Sequence, residues 1–139
     1  MKRWLKEYFD RDRLAKALNF RIVDTYDGYA EASAEIGDIH LNGADMVHGG
    51  TIFALADFAL AVACNFNGIL TVSTNASISF MKAAGGSTLK AVAKRVHETR
   101  KLGFYAIDIY DENGIVSRME STVYITGKEN SLIKEFEET

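Results

Sequence analysis

Proline is missing from all 139 residues, where about 5% is usual, and nothing in the sequence supplies a physical reason. Cysteine occurs once, at Cys64, which excludes an internal disulfide framework and fits a reducing, cytoplasmic setting. No long positive run is present. Sixteen Lys and Arg face nineteen Asp and Glu, for a net charge of −3, so there is no overall nucleic-acid footprint. Apolar runs are short as well. The longest lies between Thr51 and Asn65, thirteen residues of which twelve are apolar. A bilayer span needs roughly 18 to 20. The start, Met1-Lys2-Arg3-Trp4-Leu5, leads to Lys6, Glu7 and Asp10 rather than to an apolar stretch, so neither a signal peptide nor a membrane partner is expected. There is no G-x-S-x-G, G-x-G-x-x-G, P-loop, H-E-x-x-H or C-x-x-C. Metal binding therefore has little support.

Against that background one residue stands out. The apolar run "IFALADFALAVAC" is broken only by Asp57. Its helical neighbours, three, four and seven residues away, are Gly50, Phe53, Ala54, Leu60, Ala61 and Cys64. None is charged, so Asp57 does not belong to a solvated stripe. The pattern predicts a helix over about 50–66 buried on nearly all sides, with a carboxylate aimed into an enclosed space. Such a carboxylate needs a partner or a raised pKa. These groups cluster at functional sites, although a structural buried Asp is an equally good reading of the run alone.

The rest of the chain reads as one domain, 1–139. Residues 2–18 form an amphipathic helix, with Trp4, Leu5, Tyr8, Leu14, Ala15 and Leu18 at roughly helical spacing. Asp27-Gly28 signals a hairpin, and Ala30, Ala32, Ala34 and Ile36 then alternate with polar residues. A polar loop feeds the apolar helix. After Asn67-Gly68, residues 70–80 alternate without a break, placing Leu70, Val72, Thr74, Ala76, Ile78 and Phe80 on one face and Thr71, Ser73, Asn75, Ser77 and Ser79 on the other. Strands follow at about 87–97, 103–111 and 115–126. The tail is a short helix or frayed. The fold class is α+β, an antiparallel sheet curved around one long helix. A single sheet around one helix leaves an edge and a face uncovered, so a homodimer is expected.

Chemistry-bearing residues gather at the start of the central helix. Gly49 and Gly50 allow close backbone approach to the unpaired N–H groups of a helix end, which stabilise an anion or oxyanion. His48 and Asn42 sit in the loop just before it and can orient water or a carbonyl, or simply cap the loop. Asp57 lies two turns along, about 11 Å away. If it acts with Gly49 on one small group, one of the two comes from another chain. Ser73 and Asn75 offer hydroxyl and amide groups from the following strand. Between 82 and 101, Lys82, Lys90, Lys94, Arg95, Arg100 and Lys101 face Glu98 alone. That patch suits phosphates or a solvated strand face. Cys64, at the wrong end of the helix dipole, is a poor nucleophile.

Asn42-Gly43, His48-Gly49-Gly50 and Asp57, spaced N-G-x(4)-H-G-G-x(6)-D, resemble the signature of hotdog-fold acyl-CoA thioesterases of the phenylacetic-acid-degradation (PaaI-like) type. The resemblance covers roughly residues 20–126. It implies that Asp57 acts as general base or nucleophile, and that the Gly49 N–H receives the thioester carbonyl. Asn42 and His48 would position substrate and water, with Ser73 assisting the water. It further implies a site shared between subunits of a homodimer that pairs into a homotetramer. Gly50 and Asn75, with Lys82 and Arg95 for the CoA phosphates, are the expected substrate contacts. Two departures concern the backbone: the family often has proline where this chain has Gly43, and again where it has Ala83 or Ala84.

The expected function is thus an acyl-CoA thioesterase that releases free acid and CoA. CoA belongs to the substrate, and no metal or redox cofactor is called for. Two alternatives remain at this stage. An enoyl-CoA hydratase-like enzyme would pair Asp57 with His48. A non-catalytic acyl-CoA-binding module would keep the pocket without needing Asp57.

Overall fold

In a computed structural model, which describes residues 1–137 of the chain, helices α1 (Arg3–Asp10) and α2 (Arg13–Ala17) precede strands β1 (Arg21–Tyr26) and β2 (Tyr29–Glu35). A 3₁₀ turn at Asp38–His40 leads to the central helix α3 (Gly49–Cys64). Strands β3 (Ile69–Phe80), β4 (Thr88–Glu98), β5 (Leu102–Asp111) and β6 (Gly114–Glu129) follow, and helix α4 (Ser131–Glu137) ends the described chain. The six strands form one sheet in the order β1-β2-β4-β5-β6-β3, antiparallel throughout. Helix α3 contacts every strand of it. No helix among the described residues is long and apolar enough to cross a membrane.

Local chemistry explains the turns. Asp27-Gly28 links β1 to β2, with Gly28 at φ +74°, a left-handed conformation that glycine adopts without steric cost. The strand β2 buries Ala30, Ala32 and Ala34 against α3. Small side chains there let helix and sheet approach closely. Ile52, Leu55, Phe58, Leu60 and Val62 of α3 are buried, and each such side chain contributes about 1.5–3 kcal/mol.

Two details differ from the sequence expectation. The 2–18 stretch is two helices, because Asp12 leaves helical geometry and its side chain accepts the Ala15 N–H at 3.0 Å, capping α2. Second, β3 does not alternate without a break. Ser73 pairs with Val123 but Asn75 with Thr122, so Thr74 is an extra residue, a bulge. Thr71 and Ser73 pair along β6 in line with Val123, whereas beyond the bulge Ala76, Ile78 and Phe80 pair with Ser121, Met119 and Ser117. The buried residues Val123, Ser121, Met119 and Ser117 mark one face of β6. The bulge therefore puts Ser73 and Ala76 on the same, helix-facing side. The tail is the short helix the sequence allows, packed with Leu132 and Ile133 buried.

Asn65 pins the helix end to the sheet. Its Nδ2 donates to the Ala61 carbonyl at 2.8 Å and the Thr71 carbonyl at 3.1 Å, and its Oδ1 accepts the Thr71 N–H at 2.9 Å. Both residues are buried. Replacing Asn65 with Ala strands buried backbone groups, each worth about 1–3 kcal/mol when unsatisfied. The expected result is a loss of stability in that range, read as a lower urea midpoint with an unchanged m-value.

Candidate active site

Helix α3 begins at Gly49 because His48, in extended conformation, caps it. The His48 Nδ1 accepts the Gly50 N–H at 2.7 Å, and its carbonyl accepts from Thr51 and Ile52. A Cβ at position 50 would meet His48 Nδ1 at 2.9 Å, so the cap requires glycine there. With Nδ1 accepting, Nε2 is left as the ring's donor. The Gly49 N–H finds no acceptor among the described residues. It sits at the positive end of a sixteen-residue helix, open to an anion. The Phe80 ring packs beside it, 3.4 Å from where a Cβ would stand.

The loop before the helix is tied down from within. Asn42 Oδ1 accepts the N–H groups of Ala44 at 2.9 Å and Met46 at 3.1 Å. Its Nδ2 has no partner among the described residues. Buried His40, which the sequence reading passed over, accepts the Gly37 N–H at Nδ1 and bonds the Leu18 carbonyl through Nε2. The Thr51 hydroxyl donates to the His40 carbonyl at 3.1 Å. These bonds hold the loop against both α3 and the N-terminal helices.

Asp57 is not enclosed as the apolar run predicts. The sheet covers one side of α3 and leaves a stripe of Gly50, Phe53, Ala54, Asp57, Ala61 and Cys64 half-buried or exposed. Asp57 opens from this stripe onto a cavity of about 510 Å³, which Ser73 also lines. Leu60, Ala61, Leu70 and Val72 supply apolar wall, and Tyr8, Phe9 and Leu132 enter it from the terminal helices. Desolvation by these surroundings, and second the charge of Asp12, hold the Asp57 carboxyl above its ordinary range. Ser73 Oγ lies 3.0 Å from Ser121 Oγ, which donates to the Asn75 carbonyl at 2.7 Å. Cys64 lines the same cavity, but burial pushes its thiol up to about 12.

Within one chain, then, the residues form two groups. Asp57 and Ser73 share the cavity, while Asn42, His48, Gly49 and Gly50 gather at the helix start, about 12 Å along α3. Asn75 lines a separate hollow with Phe104 and Glu120. Lys82 lies just past β3, with Nζ 3.9 Å from Asp111. Arg95 is held by Asp27 at 3.0 Å and Glu98 at 2.9 Å. A metal would find no cluster of three or more His, Cys, Asp or Glu among the described residues.

Comparison with known proteins points in one direction. Residues 44–117 match the model of the family described as "Thioesterase superfamily". The chain is 35% identical over 105 residues to the acyl-coenzyme A thioesterase PaaI of Escherichia coli K12, covering 75% of each protein. The solved structure of E. coli PaaI, from the phenylacetic acid degradation operon, superposes with a TM-score of 0.85 at 30% identity, covering 91% of this chain and 93% of that one. A Streptococcus pneumoniae hypothetical thioesterase solved with coenzyme A superposes with a TM-score of 0.81 at 25% identity, covering 90% and 98%.

The raised Asp57 pKa has a consequence for stability. A carboxyl whose pKa is higher folded than unfolded destabilises the fold progressively as pH rises from the ordinary carboxylate range through the raised value. An Asp57→Asn variant lacks this term. Its stability relative to wild type should rise across that window and level off above it, as urea titrations from acid to neutral pH will read.

Proposed function

The chain belongs to the thioesterase superfamily, and from that premise we propose that it is a cytoplasmic acyl-CoA thioesterase working as a homodimer, with dimers pairing into a homotetramer. The observation that carries the reading is Asp57, the one charged residue on the uncovered stripe of α3, facing a partly apolar cavity beside Ser73. An acyl group would lie in that cavity with its thioester carbonyl at the Asp57 end. Hydrolase relatives favour this reading over hydration of an enoyl-CoA and over a non-catalytic sensor.

In the proposed reaction the Asp57 carboxylate takes a proton from water as the water oxygen bonds to the carbonyl carbon. Ser73 accepts the second hydrogen of that water. Its own hydrogen has acceptors within the chain, Ser121 Oγ at 3.0 Å and the Asn75 carbonyl at 3.4 Å, which leaves its oxygen to accept. The carbonyl oxygen becomes an oxyanion held by the partner's Gly49 N–H, at the positive end of the partner helix. Asn42 Nδ2 and His48 Nε2 are the remaining donors there. Collapse of the intermediate breaks the C–S bond, releasing free acid and the CoA thiolate, which is then protonated. The alternative, direct attack by Asp57 through an anhydride, uses the same placement.

A shared site follows from helix length. About 12 Å of α3 separates Asp57 from Gly49, too far for both to act on one carbonyl within a chain. The strand β3 is a sheet edge whose middle is exposed, and the α3 stripe is uncovered beside it. Two-fold pairing there covers both and generates two equivalent sites. Lys82, two residues beyond the Phe80 ring that packs by Gly49, would take a CoA phosphate in this reading. Arg95 already serves two carboxylates.

Free-thiol detection over a panel of CoA thioesters tests the activity. Asp57→Asn should lower kcat/KM by roughly 10²–10⁴-fold while the fold persists. The acid limb of kcat/KM in the wild type should titrate above the ordinary Asp value and vanish in that variant. If His48→Gln removes the limb instead, the base is His48.

Subunit mixing tests the sharing. Asp57→Asn and Gly49→Val are each expected to be inactive. After random exchange, one site of each heterodimer carries neither lesion, and about a quarter of wild-type activity should return. Continued inactivity in heterodimers verified by native mass spectrometry would place both groups in one chain's site.

A further inference from the structure

Beyond the reacting groups, the cavity has a wall whose far side is also hollow. A second cavity, of about 490 Å³, lies between the N-terminal helices and the start of β1. Its apolar lining includes Phe20, Ile22 and Phe58, and Lys16 and Arg21 stand among its polar residues. Among the described residues only Phe9 lines both this cavity and the one that holds Asp57. The Phe9 ring is almost fully buried and meets Phe58 edge-on, with centroids 5.8 Å apart and planes at 89°. It meets Tyr8 in the same way at 5.0 Å. Edge-to-face contacts on two sides hold the ring in one orientation.

We propose that Phe9 is the specificity-determining partition of the acyl site: its ring ends the acyl cavity, sets the longest acyl chain the protein accepts, and keeps that chain out of the second chamber. This rests on the acyl-CoA reading above. The physical reason is the chemistry of the two spaces. Both are lined in part by apolar side chains, so a methylene chain is at home in either, and the obstacle between them is a ring rather than backbone. A chain that stops short of Phe9 gains apolar contact with each added methylene. One that reaches the ring must displace it from Phe58 and Tyr8 or fold back. The partition also lies outside the residues that match the family model, 44–117.

The test separates binding from turnover. Non-hydrolysable S-alkyl-CoA thioethers, from ethyl to hexadecyl, are titrated by calorimetry into wild type and into Phe9→Leu, Phe9→Ala and Phe9→Trp variants shown to be folded by circular dichroism. Wild-type affinity should rise with chain length and then break. The break should move to longer chains in Phe9→Leu, further in Phe9→Ala, and to shorter chains in Phe9→Trp. Beyond the wild-type break, affinity for the longer thioethers should improve by roughly tenfold or more, the discrimination one methylene carries in an apolar pocket. Phe9→Leu keeps the proposal testable if Phe9→Ala does not fold. A break at the same length in every folded variant overturns the partition. If wild type binds thioethers and the break moves as stated, yet no CoA thioester is hydrolysed, the partition stands and the thioesterase reading falls. If wild type binds no thioether at all, both fall.

Discussion

Helix α3 lies against all six strands of one sheet, and a sheet covers only one side of a cylinder. That constraint organises the molecule. Nine of the sixteen helical residues are buried, and their burial pays for the ordering of the chain around them. What is left is a narrow stripe, and the one charged residue of the helix stands on it. The stripe, the exposed edge of β3 beside it and the open N-terminus of the helix are all products of the same geometry. So is the separation of Asp57 from Gly49, because a straight helix cannot bring residues two turns apart together.

The surrounding hydrogen bonds keep this geometry rigid. His48 closes the start of α3 and Asn65 its end, the second by bonding three backbone groups. The bulge at Thr74 then turns Ser73 toward the helix without costing the apolar face of the later part of β3. The orientation of Ser73 depends on an irregularity. An unbroken β3 could not put both Ser73 and Ala76 on the helix side, because residues three apart on a regular strand face opposite ways.

The terminal helices have a separate task. α1 and α2 meet at Asp12, and that break lets Tyr8 and Phe9 on one side and Asp12 on the other reach the cavity. A single continuous helix over 2–18 would run straight past. Asp12 also contributes to the raised Asp57 pKa. The charge environment of the candidate base is therefore set partly by a residue whose local role is to cap a helix.

The sequence by itself determined the elements with strong periodic or turn signals. The apolar run specified α3, Asp27-Gly28 its hairpin, and the alanine alternation β2, because each is encoded by neighbours along the chain. The spacing of Asn42, His48, Gly49 and Asp57 likewise marked the candidate site and its family. Tertiary structure decided the rest. Whether the face of α3 around Asp57 is covered depends on the reach of a sheet built from strands remote in sequence. The bulge in β3 exists only relative to the pairing of β6, and the structural duties of His40, Asn65 and Arg95 appear only once Leu18, Thr71 and Asp27 lie beside them. The two chambers on either side of Phe9 are likewise spaces between elements, and no stretch of sequence contains a space.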